Sequence, residues 1–356
     1  MKKRIEKVRA LMEEKGIDSL LITTDVNRFY LSGFTGSSGY VLFTPVKNYF
    51  ITDFRYTEQA KDQTNGFEIL EFNKEVPENI NEILVEDNSK KLGFESKNVT
   101  FNKYKEYKEK FTDVDLAGTE DLIKNLRKTK DKEEISKIKK AIEITDNAFN
   151  HILDFIEEGK TEREVALELE FFMKQAGGEK NAFDFIVASG KRSSMPHGVA
   201  SDKKIEKGDF ITMDFGTFYK GYCSDMTRTV VLGDASDKQR KIYNIVLEAQ
   251  KEVIDKIKPG MSGKEVDAIA RDMIKDAGYE DNFGHGLGHG IGVEVHEGPR
   301  ASYKSDDIIK KGMLVTDEPG IYIPDWGGVR IEDDLLITEN GCEVLNNSPK
   351  ELIVIE

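Results

Sequence analysis

A chain of 356 residues exceeds the usual span of one domain, so two domains are expected. Its hydrophobic fraction of 38% and charged fraction of 33% suit a soluble globular protein with a strongly charged surface. The formal net charge of −14 argues against nucleic acid and against anionic membranes, whose phosphates would repel it.

The N-terminal stretch MKKRIEKVRALMEEKG reads as an amphipathic helix with Ile5, Val8, Leu11 and Met12 on one face, ending at Gly16. It holds no continuous apolar run, so it does not read as a secretory signal, and no stretch of about 18 apolar residues predicts a membrane span. SLLIT, YVLFT and YFIT follow as short strands separated by turns. GFTGSSG (33–39) has the composition of a phosphate loop, but it lacks the Gly-Lys-Ser/Thr ending and leads into a strand. Segment 124–141 is densely charged, with Ile135, Ile138 and Ile142 at helical spacing. It predicts a helix that opens a second domain, with the boundary near residue 125.

The second domain carries a faint internal duplication. IEEGKTEREVALELEFFMKQAG (156–177) matches IKPGMSGKEVDAIARDMIKDAG (257–278) in constant register, as in Gly159/Gly260, Glu164/Glu265, Val165/Val266 and Gly177/Gly278. Thr161 and Ser262 each precede a glutamate by three residues, the spacing of a capping box, so each copy reads as a turn, a capped helix and a terminal glycine. Two similar halves place a small-molecule site between them.

The segment FITMDFGTFYKGYCSDMTRTVVL (210–232) reads as a β-hairpin with its loop near Tyr219-Lys220-Gly221. Asp214 and Asp225 then lie nearly opposite each other, with Cβ atoms roughly 5 Å apart. Asp214 sits within the apolar strand Ile-Thr-Met-Asp-Phe, and a buried unpaired carboxylate is costly unless a cation shares the site. The two cysteines, Cys223 and Cys342, read as reduced thiols of a cytoplasmic protein, since their spacing demands no disulfide.

GHGLGHGIGVEVHEGP (284–299) holds His285, His289 and His296, three of the chain's five histidines. Alternating glycines would cost a helix roughly 1 kcal/mol each, so the segment is expected to be extended, with glycines admitting close backbone approach. That excludes a zinc helix. In MLVTDEPGIYIP (313–324), Asp317 and Glu318 compete as the functional carboxylate, with Glu318 extended before proline. GGVRIEDDLLIT (327–338) reads as a strand with Arg330, Glu332 and Asp334 on one face, and Val329, Ile331 and Asp333 on the other. This concentration of carboxylates and histidines suits two hard or borderline divalent ions sharing bridging carboxylates, with Mn²⁺ or Co²⁺ favoured over a cysteine-type zinc site.

These motifs resemble the metallopeptidases of pita-bread fold: Xaa-Pro dipeptidases (prolidases), Xaa-Pro aminopeptidases, creatinase and methionine aminopeptidases. NRFYLSGFTGSSGYVLFT and ITDFRYTEQA resemble the N-terminal domain of bacterial members, while DFGTFYKGYCSDMTRT, GHGLGHGIGVEVHEGP, EPGIYIP and GGVRIEDD resemble the catalytic domain. The resemblance implies a two-domain α+β chain, a creatinase-like domain over 1–124 and a pseudo-twofold pita-bread domain over 125–356. It implies Asp214, Asp225, His289, Glu318 and Glu332 as metal ligands, with Asp225 and Glu332 bridging, and so selects Glu318 over Asp317. His197, in SMPHG, and His296 would contact substrate or move protons. His285 and Arg330 would bind substrate, or Arg330 would fix a carboxylate. His151 matches nothing.

The implied enzyme is an Xaa-Pro exopeptidase with two divalent ions per subunit, Mn²⁺ foremost and Co²⁺ or Zn²⁺ as alternatives. It would act by attack of a metal-bridged hydroxide, with Glu318 passing a proton to the leaving nitrogen. Proline-containing di- or oligopeptides are the expected substrates, a homodimer the expected assembly. Creatinase-like hydrolysis is the weaker reading, because the full metal set is present. A catalytically inactive binding module would typically have lost ligands. The extra N-terminal domain disfavours a methionine aminopeptidase.

Overall fold

The computed structural model describes residues 2–356, and the chain divides into two compact units that meet in sequence between Arg127 and Lys128. The first unit runs α1 (Lys2–Glu14), β1 (Ser19–Ile22), α2 (Asp25–Ser32), β2 (Tyr40–Phe43), β3 (Asn48–Thr52), α3 (Thr57–Gln63), β4 (Glu68–Glu71), α4 (Val76–Glu86), β5 (Lys91–Glu95), α5 (Phe101–Lys110), β6 (Asp115–Thr119) and α6 (Leu122–Arg127). Its six strands form one mixed sheet in the order β4-β3-β2-β1-β5-β6. Helix α1 buries Val8 and Met12 on the face anticipated from periodicity, and packs Ile5 and Leu11 against the same core. GFTGSSG joins α2 to β2, and Gly33 closes α2 in the left-handed region at φ 81°, which explains that glycine without any phosphate. Among the described residues, no helix is long and apolar enough to cross a membrane.

The second unit repeats a helix pair. α7 (Lys132–Phe155) packs on α8 (Glu162–Gln175), and α9 (Asp237–Lys256) packs on α10 (Gly263–Asp276). Both α8 and α10 start with a full capping box, Thr161 with Glu164 and Ser262 with Glu265. Each helix pair builds its own core. Val165, Leu169 and Met173 of α8 are buried with Phe149 and Ile152 of α7. The register-matched Val266, Ala270 and Ile274 of α10 are buried with Val246 and Val253 of α9. The duplication is therefore structural: equivalent positions bury equivalent side chains in separate cores.

The strands of this unit are β7 (Ile186–Ser189), β8 (Phe210–Phe215), β9 (Phe218–Tyr219), β10 (Tyr222–Cys223), β11 (Met226–Leu232), β12 (Gly288–Gly290), β13 (Glu297–Ala301), β14 (Leu314–Asp317), β15 (Gly320–Ile323), β16 (Gly327–Arg330), β17 (Asp333–Ile337), β18 (Cys342–Val344) and β19 (Val354–Ile355). They pair in small sets, antiparallel in β11-β8-β7, β14-β17-β18 and β15-β16, with β19 parallel to β11.

Three local expectations change. Segment 124–141 is not one helix: α6 stops at Arg127 and α7 starts at Lys132, because Lys130 N donates to Gly312 O and Asp131 caps the second helix. The 210–232 hairpin turns on Lys220 and Gly221, both at positive φ, the geometry of a two-residue turn matched to strand twist. This pairs Asp214 with Thr227 rather than with Asp225. The offset is two residues, so Asp225 stays on the face of Asp214. Finally, 327–338 is two strands. β16 pairs with β15, then Ile331 and Glu332 leave that ladder and β17 pairs with β14. The switch falls opposite Pro319, which has no N–H to continue the β15 ladder.

A buried carboxylate and histidine centre

The strand switch sets the site. β8, β11, β12, β14 and β16 converge on a cleft of about 550 Å³. Asp214, Asp225, His289, Glu318 and Glu332 all line it, as do His197, His285, His296 and Arg330. Asp317 does not: it lies on the other side of β14, fully buried, beside Asp333. His151 is remote from the cleft and bonds Glu168.

His289 is placed by backbone contact. A Cβ on Gly288 would lie 2.0 Å from Thr316 O, and one on Gly290 would lie 2.1 Å from Gly298 O. Only glycine on both sides lets the histidine strand sit against its neighbours. The His289 Nδ1 faces Gly290 O at 3.1 Å, so Nδ1 carries the proton and Nε2 is left with a bare lone pair. Nε2 lies 3.4 Å from Glu318 Oε1 and 3.7 Å from Asp225 Oδ2. Burial and the neighbouring His296 hold this imidazole down to about 3, which keeps it neutral.

An electron pair aimed at two carboxylates is repulsive unless a proton or a cation lies among them. Asp225, His289 and Glu332 offer ligand atoms that all lie within 4.8 Å of one another. Asp214 Oδ1 and Asp225 Oδ1 are buried with no hydrogen-bond partner. Burial, and then the charge of Glu332 and Asp214, drives the Asp225 carboxyl well above its usual range. Glu332 rises for the same reasons, burial first and then Glu318. Glu318 is pushed up to about 8, chiefly by burial. Crowded carboxylates, orphaned oxygens and an unprotonated imidazole nitrogen together fit a divalent-ion site.

The cleft carboxylates are aimed by outer partners, as metal ligands require. Arg330 Nη2 donates to Asp214 Oδ2 at 2.6 Å, Thr227 Oγ1 to Glu332 Oε2 at 2.7 Å, and Thr316 Oγ1 to Glu318 Oε1 at 3.2 Å. Arg330 is only 3% exposed, and its guanidinium donates also to Thr227 Oγ1, Pro196 O and the Tyr322 hydroxyl. Tyr322 in turn meets His285 Nε2 at 2.9 Å, while His285 Nδ1 faces Gly286 O. Burial, then Arg330, lowers His285 to about 4, so it stays neutral. His285 and Arg330 thus belong to one continuous chain, His285–Tyr322–Arg330–Asp214.

His197 and His296 differ in kind. Both are exposed at the cleft, and no hydrogen bond involves either ring among the described residues. The His296 ring packs 4.3 Å from that of His289. Thr227, Thr316, Tyr322 and Arg300 belong to this site and escaped the sequence reading. Arg300 carries the clearest signal in hindsight. It stands four residues after His296 in a chain of net charge −14, lines the cleft, and is exposed without an ion pair among the described residues.

Comparison with known proteins gives this geometry relatives. Residues 136–339 match metallopeptidase family M24, and residues 4–129 match the creatinase/prolidase N-terminal domain. The chain is 46% identical to an Xaa-Pro dipeptidase of Pyrococcus furiosus, over 99% of this chain and 100% of the relative. A solved Xaa-Pro dipeptidase from Bacillus anthracis superposes with a TM-score of 0.96 at 49% identity, covering 99% of each chain. A solved X-Pro aminopeptidase from Thermotoga maritima gives 0.92 at 42% identity, covering 96% of this chain and 98% of that one.

Proposed function

The chain belongs to metallopeptidase family M24, and on that premise we propose that it hydrolyses the bond before proline in Xaa-Pro dipeptides. The observation that carries the reading is the bare His289 Nε2 set 3.4 Å from Glu318 Oε1 in a pocket of buried carboxylates. The family is metal-dependent. Asp214, Asp225, His289, Glu318 and Glu332 would hold two divalent ions, with Mn²⁺ our first choice for a site rich in carboxylate oxygen. When bound, such ions polarise a carbonyl and lower the pKa of water.

The chain's own groups would do the rest. His197 and His296, whose rings have no hydrogen-bond partner among the described residues, would bond the substrate's peptide oxygen. Glu318, held through a single hydroxyl, would take a proton and deliver it to the proline nitrogen. That nitrogen has no N–H before cleavage, so recognition of the leaving side must rely on shape. Phe183, Ile186, Pro196, Val199 and Val295 supply an apolar wall for it. Arg300 would hold the free carboxylate that a dipeptide presents one residue beyond the bond. A homodimer, which rests on the resemblance, and a cytoplasmic setting, which rests on two unpaired cysteines, belong to the same proposal.

The test is a substrate panel on the metal-supplied protein: Xaa-Pro dipeptides, the same dipeptides amidated, and longer Xaa-Pro peptides. Preference for the free dipeptide supports the reading. Preference for longer peptides would replace it with an aminopeptidase, and no cleavage of any member with metal bound would leave a binding module.

A further inference from the structure

The repeated helices of the second unit do more than pack. Each brings one buried carboxylate to a histidine-bearing segment of the cleft. Glu162, the first residue of α8, is fully buried. Its Oε1 accepts from Ser189 N at 2.7 Å and Ser189 Oγ at 2.9 Å; its Oε2 accepts from Arg192 Nε at 2.9 Å, Ser201 N at 3.1 Å and Ser201 Oγ at 2.6 Å. One carboxylate therefore fastens both ends of the strap 189–201, and Arg192 from its interior. His197 lies within that strap. Its middle is tied down separately, by Gly328 N donating to Ser193 Oγ and by Arg330 donating to Pro196 O.

In the second half the device recurs one turn further along α10. Asp267 is 1% exposed and pairs with Arg271 through two bonds, at 2.6 and 2.9 Å. Asp267 also accepts from Leu287 N, while Arg271 donates to Phe283 O and His285 O. The pair thus grips alternate residues of the segment that leads into His289. The duplication did not conserve the residues: Glu162 matches Gly263, where a Cβ would lie 2.0 Å from Arg300 O. What recurs is the arrangement, a buried carboxylate and an arginine on each histidine segment.

We propose that Glu162 and Asp267 are positioning residues with separate targets, Glu162 setting the substrate-side His197 and Asp267 setting the metal-side His289. This rests on the peptidase reading above. A general packing role would make the two equivalent, whereas the geometry makes them differ.

The test compares Glu162→Gln, Asp267→Asn and His197→Ala in the full chain, with metal content, melting temperature and kinetics on an Xaa-Pro dipeptide. Glu162→Gln is expected to lower kcat/KM by about tenfold to a hundredfold, the scale of a misplaced catalytic contact, with bound metal unchanged. Combined with His197→Ala it should add nothing, since both remove the same contact. Asp267→Asn is expected to lower metal affinity. Additive losses in the double variant, or equal metal loss in both single variants, would overturn the proposal. If Glu162→Gln does not fold, Ser201→Ala removes the hydroxyl bond to Glu162 Oε2, keeps the bond from Ser201 N, and is read in the same direction. A wild-type protein that cleaves no Xaa-Pro substrate would sink the peptidase reading instead, a result separate from any variant.

Discussion

His289 turns its unprotonated nitrogen toward Glu318, 3.4 Å away, while its protonated nitrogen is spent on Gly290 O. Two electron-rich atoms held face to face need a proton or a cation between them, and a divalent ion would also relieve the buried carboxylates around them. Removing metal should therefore destabilise the protein, not merely stop it. Chelation is expected to lower the melting temperature, and Mn²⁺ at about 100 times its Kd to restore about 2.7 kcal/mol. Asp225→Asn and Glu332→Gln should abolish activity and blunt that response. A variant that keeps full activity and both metals defeats the ligand assignment.

The chain His285–Tyr322–Arg330–Asp214 can be cut at one atom. Tyr322→Phe removes the hydroxyl that receives Arg330 Nη1 and meets His285 Nε2. Two buried polar groups are then left unpartnered, at a cost of about 1–3 kcal/mol in unfolding free energy. Arg330→Lys keeps the charge but cannot reach Asp214, Thr227, Pro196 and Tyr322 at once, because an ammonium lacks the guanidinium fork. It is expected to lower kcat/KM more than Tyr322→Phe does. Denaturant unfolding and steady-state kinetics on both variants check the order; equal kinetic loss would show that Arg330 acts only through Tyr322.

How far the site could be read before folding follows from these residues. Asp214 was legible because a carboxylate inside an apolar strand demands a reason. The extended glycine segment was legible because no helix tolerates that alternation. The hairpin register was not, since it depends on whether the turn takes two residues or three, and only the positive φ of Lys220 and Gly221 decides. Nor was the choice between Asp317 and Glu318. It depends on which side of β14 meets the cleft, a property of the sheet rather than of either residue. The break in 327–338 was hidden because its cause, the missing N–H of Pro319, lies in a different segment, between β14 and β15. The partners of Arg330 are as much as 134 residues away in sequence, beyond any local pattern.

The two capping boxes carry a pH signature. Backbone N–H donation from Thr161 and Ser262, then their hydroxyls, holds Glu164 and Glu265 below the usual carboxylate range. A group depressed on folding stabilises above its unfolded pKa and stops doing so as pH falls through its folded value. Glu164→Gln with Glu265→Gln keeps an acceptor at each cap but removes the charge. The double variant should melt below wild type near neutrality and converge with it as pH falls below the ordinary glutamate value of about 4.3. Helix α9 is the internal control, because its box already uses Gln239. A melting-temperature gap that is constant across this range would show that the charges contribute nothing.

Arg300 is expected to separate the two peptidase activities. Its guanidinium lines the cleft without an ion pair among the described residues, which is an unusual place to leave a cation in so acidic a chain. A dipeptide ends in a carboxylate directly after proline; a longer peptide has a neutral amide there. A charge-assisted bond to that carboxylate is worth about 1.5–3 kcal/mol, or roughly tenfold to 150-fold in KM. Arg300→Ala is expected to raise KM by that factor for an Xaa-Pro dipeptide and to leave the amidated dipeptide nearly unaffected. The ratio of the two substrates is the decisive reading, because a general disturbance of the cleft would weaken both. Equal losses would remove Arg300 from carboxylate recognition and take away the structural argument for preferring dipeptides.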